Sequence, residues 1–407
     1  MHGQRADQAT QVEPRPRLTI VVTHPIQHFC PMYREIAADG RVDLQLIFTH
    51  SGPAPRFDAG FGQIVQWQDD ILSGYRSVVI PESHRGDATA VLRELRRIAP
   101  DVVYVHGYEP PAYRAIMTWA NRSGIPVLMT TDSELRHLRP WPVRVAKRMV
   151  LPRVLRRVSL FLTVGDENER YFEHYGVSRA RFHRVPFSID SSFYDQILPR
   201  REEIRRELRQ RLGIPNEAVV VFNVGKLISR KRQEDLIRAL DSVVRDAKRP
   251  AVLMIAGSGE KMERLSELAK PLGSAVHLLG FVDISMLPQH YMAADIYVHP
   301  SDHDPHPLAV SEALYCGLPV VVSNRTGSVG PTDDVQVGKN GWEYPVGDIR
   351  KLSELLTLLI DDPELRRRAG LLSRQIGLEH SADRCAQRFV DAALRALKDR
   401  RGGDQPE

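Results

Sequence analysis

The chain has 407 residues, of which 42% are hydrophobic and 26% charged, and a formal net charge of +5. That composition excludes a disordered chain, which has too few apolar residues to bury a core; the length fits two or three domains of roughly 150 residues each. No run approaches the roughly 18 apolar residues of a membrane span. The three cysteines, Cys30, Cys316 and Cys385, are too scattered for a disulfide framework or a zinc site and suit a reducing compartment.

Residues 1–16 are polar and lack the apolar centre of a secretory signal, so a disordered tail is expected there. Short apolar runs then alternate with amphipathic helical patterns, the pattern of βαβ units around a parallel sheet. Strands are expected at 18–22, 42–48, 77–80, 102–105, 126–129 and 160–164. Between them, a helix over 88–98 places Val91, Leu92, Leu95 and Ile98 on one face. A charged segment follows at 200–211, and a second series begins. Its strands are expected at 219–224, 252–255, 276–279, 296–298 and 320–323, with a helical stripe of Leu236, Ile237, Leu240, Val243 and Val244. A last helix over 382–398 carries Phe389, Val390, Ala393 and Leu397 on one side, and the chain after Arg400 is expected to be loose. The pattern predicts an α/β protein with two doubly wound domains, 17–200 and 201–378, then a C-terminal helix and tail over 379–407. In such sheets ligands bind beyond the carboxyl ends of the strands, so chemistry is expected in the strand-to-helix loops.

Three of those loops in the second domain stand out. In the first, a buried strand ends at Gly225, and Lys226, Arg230, Lys231 and Arg232 precede the next helix. Glycine lets a ligand approach the backbone closely, and lysines neutralise a diphosphate as point charges. On composition alone the loop reads equally well as solvated surface. The second, Gly257-Ser258-Gly259, is by itself an ordinary turn. The third runs from Asp302 through Asp304, His306 and Pro307 into a helix containing Leu308, Ala309 and Glu312. Pro307 is expected in the first helical turn, where its missing N–H costs little. N–H groups at that helix start form an anion site. Carboxylates flanking an anion site suit hydroxyl groups instead, from which they accept hydrogen bonds. A ligand with phosphates in the middle and polyol sugars at both ends is a sugar nucleotide. The plainer alternative makes Glu312 only a complement to the helix dipole.

These residues carry a resemblance. Asp304 and Glu312 are similar to the acid-x7-acid motif of retaining GT-B glycosyltransferases of family 4 (the "glycosyl transferases group 1" class). Cys316-Gly317-Leu318-Pro319-Val320-Val321 resembles the strand that follows it, and Lys226 and Lys231 resemble its basic pair. Gly280-Phe281-Val282, with Leu287 and Tyr291 to Asp295, resembles its nucleobase-side loop and helix. The resemblance implies two Rossmann-like domains facing an interdomain cleft. It further implies that Asp304 contacts hydroxyls of the transferred sugar and that Glu312 binds the ribose. Lys226 and Lys231 would hold the leaving diphosphate, with Gly225, Gly257, Phe281, Val282, Leu308 and Ala309 around the nucleotide. No metal and no cofactor beyond the nucleoside diphosphate sugar donor are implied. Two departures are present: Asp304 replaces a usual glutamate, and Pro307 replaces a common glycine.

The first domain resembles the acceptor half more weakly. The loop at Thr23 to Phe29 lacks the Gly-Gly pair of many members. His106 matches a strand-end histidine, and Asp132 stands where many members have a catalytic histidine. His106 and Asp132 are therefore catalytic candidates beside Asp304, Lys226 and Lys231. Residues 136–157 hold eight Arg or Lys and no acid. That run suits peripheral contact with an anionic membrane near a glycan or lipid-linked acceptor, or equally a solvated face. Few aromatics interleave it, so nucleic acid is not expected. The expected location is cytoplasmic, at the inner face of a membrane if the basic run docks there. The rival functions are a sugar-nucleotide epimerase of the same fold and a non-catalytic sugar-nucleotide-binding protein.

Overall fold

The computed structural model describes residues 14–403 except 51–55, 59, 62, 66–70, 82, 84–85 and 138–139. The disordered tail expected over 1–16 therefore lies mostly outside the described residues. Pro16, at its end, is tied down, because its carbonyl accepts the N–H of Asp43 at 2.9 Å. The first domain contains β1 (Arg17–Val22), β2 (Asp43–Phe48), the hairpin β3 (Arg56–Asp58) and β4 (Gln63–Val65), β5 (Arg76–Val79), β6 (Val102–His106), β7 (Val127–Thr130), β8 (Leu160–Thr163) and β9 (Phe182–Arg184). Seven of these form a parallel sheet in the order β5-β2-β1-β6-β7-β8-β9. The second domain contains β10 (Val219–Val224), β11 (Ala251–Ala256), β12 (Val276–Gly280), β13 (Ile296–His299), β14 (Val320–Ser323) and β15 (Gly341–Tyr344). Their order is β12-β11-β10-β13-β14-β15, also parallel.

Both sheets are covered on both faces, which is why their strands read as unbroken apolar runs. Ile20 and Val21, neighbours in β1, belong to different clusters on opposite faces. Val219 and Val221 likewise face away from Val220 and Phe222. In each domain the strand order reverses beside the first strand, at β1/β6 and at β10/β13. These are the switch points where a doubly wound sheet opens a ligand crevice.

The chain crosses between the domains twice. Ile189 and Tyr194 already belong to the core of the second domain. The boundary expected at residue 200 therefore lies about a dozen residues too late. The helix Ala382–Gly403 returns to the first domain, and it stays helical three residues past Arg400, where a loose tail was expected. Cys385, Ala386, Phe389, Val390 and Ala393 of this helix lie in one cluster with Leu18, Ile20 and Leu128. Phe389 packs on Tyr104 with ring centroids 5.0 Å apart.

A polar seam closes the two domains on each other. Arg184 donates to the carbonyl and hydroxyl of Thr332 at 2.8 and 2.9 Å and pairs with Asp166 at 2.6 Å. Asp166 accepts from the Thr332 N–H at 2.8 Å. Gly330 meets Asp166 so closely that a Cβ there would lie 2.2 Å from the carboxylate. Arg136 reaches over to Glu343, while Arg325 donates back to the Arg136 carbonyl at 2.9 Å.

Because the last helix is a wall of the first domain's core, Phe389→Ala should destabilise that domain by about 3–5 kcal/mol, the usual cost of emptying a buried aromatic site. Urea unfolding followed by circular dichroism measures this; a cost below about 1 kcal/mol would show that the helix is not part of that core.

Candidate active site

The loops at the carboxyl ends of β10, β11 and β13 converge, and the sequence explains how they fit. Gly257 follows β11 at φ +148°, and a Cβ there would lie 1.9 Å from the Gly225 carbonyl oxygen. Only glycine permits these two strand-end loops to lie so close. Lys226 leaves from Gly225, and Lys231 ends a short 3-10 turn, Ser229–Lys231. The helix Leu308–Tyr315 starts beside them. Pro307 caps it in an extended conformation (φ −73°, ψ 115°), one residue outside the first turn where it was expected. Leu308 and Ala309 thus present the first helical N–H groups, while Val310 N–H is taken by the Pro307 carbonyl at 2.9 Å.

The two acids of the motif sit in opposite environments. Asp304 precedes the helix and is contacted by the Lys231 ammonium and, at 3.0 Å, by His299 Nε2. Burial alone would raise its pKa; the His299 hydrogen bond and the Lys231 charge outweigh burial and hold the carboxyl well below the usual range. Glu312, one helical turn in, accepts from the Tyr291 hydroxyl at 2.8 Å and also meets Tyr194. Here burial wins over those hydrogen bonds and pushes the carboxyl up to about 7. The Tyr291 hydroxyl also lies 3.2 Å from the Ala309 carbonyl, the weaker of two acceptors for its one proton. Val282 packs on the core beneath this helix.

Lys226 does not point at open solvent. Its ammonium lies 2.8 and 2.9 Å from the two carboxylate oxygens of Asp58, which ends β3 in the first domain. It also lies 5.0 Å from the centroid of the Phe61 ring. Phe61 in turn meets Phe281 edge-on at 5.4 Å, and its carbonyl accepts from Ser258 Oγ at 2.8 Å. A hairpin of the first domain thus covers the loop glycines of the second.

Between the domains lies a cavity of about 750 Å³. Asp304 and Arg230 line it from the second domain; His106, Asp132, Arg144 and Lys147 line it from the first. His106, at the end of β6, is neutral, because burial and then the nearby His24 lower its pKa to about 4. Asp132 opens onto the cavity, yet the enclosing walls desolvate it. That desolvation, followed by the charges of Asp304 and Glu109, raises its pKa. Lys147 Nζ lies 3.4 and 3.5 Å from the hydroxyls of Tyr108 and Tyr171.

Of the residues expected at the site, His106, Asp132 and Asp304 line the cavity, while Gly225, Lys226, Lys231, Gly257, Phe281, Val282, Leu308, Ala309 and Glu312 belong to the strand-end loops and helix of the second domain and do not line it. Asp58, Phe61, His299 and Tyr194 were not expected. For His299 a signal existed, a histidine at a strand end five residues before Asp304. Asp58 lies 168 positions from Lys226 and offered none.

Known proteins share this architecture. Residues 34–193 match the family model described as Glycosyltransferase Family 4, and residues 204–375 match that of Glycosyl transferases group 1. The chain is 27% identical over 313 residues to a GDP-mannose-dependent monoacylated alpha-(1-6)-phosphatidylinositol monomannoside mannosyltransferase of Corynebacterium glutamicum, covering 75% of this chain and 78% of that protein. It is 30% identical over 250 residues to the GDP-mannose-dependent alpha-(1-6)-phosphatidylinositol monomannoside mannosyltransferase of Mycolicibacterium smegmatis, covering 59% and 63%. The Anabaena HepE protein in complex with UDP superposes with a TM-score of 0.70 at 17% identity, over 93% of this chain and 100% of that one. With one family model matching each domain, the chain belongs to glycosyltransferase family 4 and has the GT-B fold.

Proposed function

We propose that this glycosyltransferase moves a hexose, with retention, from a nucleoside diphosphate donor held by the second domain to a hydroxyl acceptor held in the cavity against the first. The observation that carries this reading is the pair of acids on one helix start, held at opposite extremes of acidity beside two lysines. Asp304 is ionised and suited to accept hydrogen bonds from hydroxyls of the sugar. Glu312 sits deeper, beside Tyr291, and takes the ribose. The diphosphate lies between them, against Lys226, Lys231 and the helix start. The bond from the anomeric carbon to the phosphate oxygen breaks, and the acceptor oxygen bonds to that carbon on the same face. The acceptor proton passes to the departing phosphate. Negative charge grows on that phosphate, where the lysines stabilise the transition state more than the ground state. This reading places no metal in the cleft. His106, being neutral, donates or accepts toward the sugar without adding charge, and Asp132 orients hydroxyl groups at the acceptor side. The relatives that use GDP-mannose make it the first donor to offer; the UDP-bound neighbour makes UDP-sugars the second.

The acceptor side also has a surface feature. The helix Trp141–Leu155 forms part of the cavity wall through Arg144 and Lys147. Its outer side exposes Trp141, Met149 and Val150 at 72%, 58% and 59%. Val154, Leu155 and Val158 are buried beneath. Among the described residues no helix is long and apolar enough to cross a membrane. Exposed apolar residues among arginines suit shallow insertion into an anionic surface. The acceptor is then a lipid-linked glycan or glycolipid reached at the inner face of a membrane. The phosphatidylinositol mannoside substrates named for the relatives support that class.

Purified protein given labelled GDP-mannose or UDP-hexoses should transfer sugar only when an acceptor is present. Interconversion of the free donor without acceptor would mean an epimerase; donor binding with neither transfer nor hydrolysis would mean a binding protein. In the same assay Asp304→Asn should reduce turnover about a hundredfold or more, the scale of losing one group that acts on the transition state. Calorimetry should show its affinity for the free nucleoside diphosphate undiminished, since Asp304 also competes for Lys231.

Glu312→Gln removes a charged acceptor worth about 1.5–3 kcal/mol and should weaken nucleotide binding about 10- to 100-fold. The hydroxyls of Tyr194, Tyr291 and Tyr297 and the thiol of Cys316 surround this carboxyl. Hydroxyl ligands prefer the ionised form, so nucleotide affinity should rise with pH through about 7. Calorimetric titrations across that range should show the slope in the wild type and none in Glu312→Gln; an equal slope in both would remove Glu312 from the site.

In flotation assays the protein should bind anionic vesicles, release them as salt rises and ignore neutral ones. Trp141→Glu with Met149→Glu should abolish that binding while leaving transfer to a water-soluble acceptor intact. Salt-insensitive or absent binding would end the membrane reading.

A further inference from the structure

We propose that His306, Asp334 and His380 form a site for one zinc-class divalent transition-metal ion at the seam between the domains, outside the catalytic cleft. The three residues come from separate parts of the chain. His306 lies in the loop before the helix Leu308–Tyr315, and Asp334 in the long loop between β14 and β15. His380 ends the 3-10 turn Leu378–His380, from which the last helix returns to the first domain. All three are buried, at 7%, 4% and 1% exposure, and their ligating atoms lie within 4.8 Å of one another.

The hydrogen-bond pattern points to a cation. His380 Nδ1 lies 2.9 Å from the Phe187 carbonyl, which can only accept, so Nδ1 carries a proton. Its Nε2 faces Asp334 Oδ1 at 2.6 Å, so either a second ring proton or a metal ion holds the two together. His306 Nε2 points at the other carboxylate oxygen from 3.6 Å, too far for a hydrogen bond, and has no hydrogen-bond partner among the described residues. Leaving a buried ring nitrogen unpaired is costly. One cation satisfies both rings and the carboxylate together, whereas a proton shared by His380 and Asp334 leaves His306 unsatisfied.

The surroundings are those of a metal site. A ligating histidine donates its other ring N–H to a carbonyl or carboxylate, which fixes tautomer and orientation. His380 does so through Phe187. Ser311 Oγ donates to Asp334 Oδ2 at 3.1 Å, which orients the carboxylate, and Asn340 Nδ2 donates to the Asp334 backbone carbonyl at 2.9 Å. The His306 ring is braced edge-on by Phe187 at 5.2 Å. Two imidazoles and one carboxylate suit zinc, and cobalt as its stand-in; calcium and magnesium require more oxygen ligands than the site offers. Tetrahedral zinc bonds of about 2.0–2.1 Å separate ligand atoms by about 3.3 Å. Binding would draw His306 inward and separate His380 from Asp334. The ion would join the donor loop, which carries Asp304 two residues before His306, to the crossover at Phe187. It would stabilise one arrangement of the domains and take no part in sugar transfer.

The test uses the full chain stripped with a chelator, then titrated with zinc alone and with cobalt alone. The expected result is one zinc per chain retained through gel filtration, a higher melting temperature with zinc, and a tetrahedral cobalt absorption spectrum. His306→Phe keeps a ring against Phe187 and should weaken zinc binding by at least about a hundredfold, the upper scale for disturbing even an outer-shell partner. No zinc retained by the wild type would overturn the site and leave a proton-bridged His380–Asp334 pair. Unchanged stoichiometry and spectrum in His306→Phe would do the same. Should that variant not fold, X-ray absorption at the zinc edge of the wild-type protein decides: two imidazoles and one carboxylate support the site, and any other ligand set refutes it.

Discussion

The site is organised by charge neutralisation. Lys231 rests against Asp304, and Lys226 rests between the two oxygens of Asp58. Lys231 is mostly shielded, and an ammonium there without a counter-charge would be costly; Lys226 is more open, and its pair with Asp58 is worth less. The loop glycines bring the lysines together, and the carboxylates stop them repelling each other. On the proposed reading, donor binding would be an exchange, in which phosphate oxygens replace Asp58, a residue of the first domain, and share Lys231 with Asp304. Domain contact and charge balance are thus one interaction.

The same reasoning separates the two acids. They lie on one helix start with seven residues between them, yet one is stabilised as a carboxylate and the other is pushed toward protonation. His299 and Lys231 supply positive charge and a donor to Asp304. Glu312 has only tyrosine hydroxyls, whose dipoles do not offset desolvation. The contrast fits ligands that arrive with different partners. On the proposed reading, a sugar hydroxyl would meet an acceptor that is already ionised, whereas the ribose would itself supply hydrogen bonds that favour the ionised form of Glu312.

How much of this was legible in sequence depends on where the partners lie. The buried strands were readable because sheets covered on both faces demand unbroken β-branched runs, and β10 and β14 match their expected limits. The edge strands β9 (Phe182, His183, Arg184) and β15 (Gly341 to Tyr344) were missed because polar residues at a sheet edge carry no apolar run. The acid pair and the lysines were legible because a strand, loop and helix place them locally. Their counter-charges were not: Asp58 sits in a short hairpin far upstream. Tyr194 was hidden because the chain enters the second domain earlier than its composition suggests. The His306, Asp334 and His380 cluster joins positions 28 and 46 residues apart, with no short motif to mark it.

The double crossing of the chain decides how the domains can move. The segment at Phe187 to Ile189 and the turn at Leu378 to His380 run side by side, since Ile189 N–H donates to the His380 carbonyl at 2.9 Å and His380 Nδ1 to the Phe187 carbonyl. Two covalent connections bonded to each other act as a hinge with one axis, whereas a single linker would swivel. The contacts that must break on opening are then those farthest from the axis. The Asp58–Lys226 pair is half-exposed, and exposed ion pairs contribute little. The Arg184, Asp166 and Thr332 seam is shielded and shares several hydrogen bonds, so it holds more strongly. Any opening of the cleft would therefore be easier at the hairpin side, while the seam and the paired crossings hold Asp304 in the same cavity as His106 and Asp132.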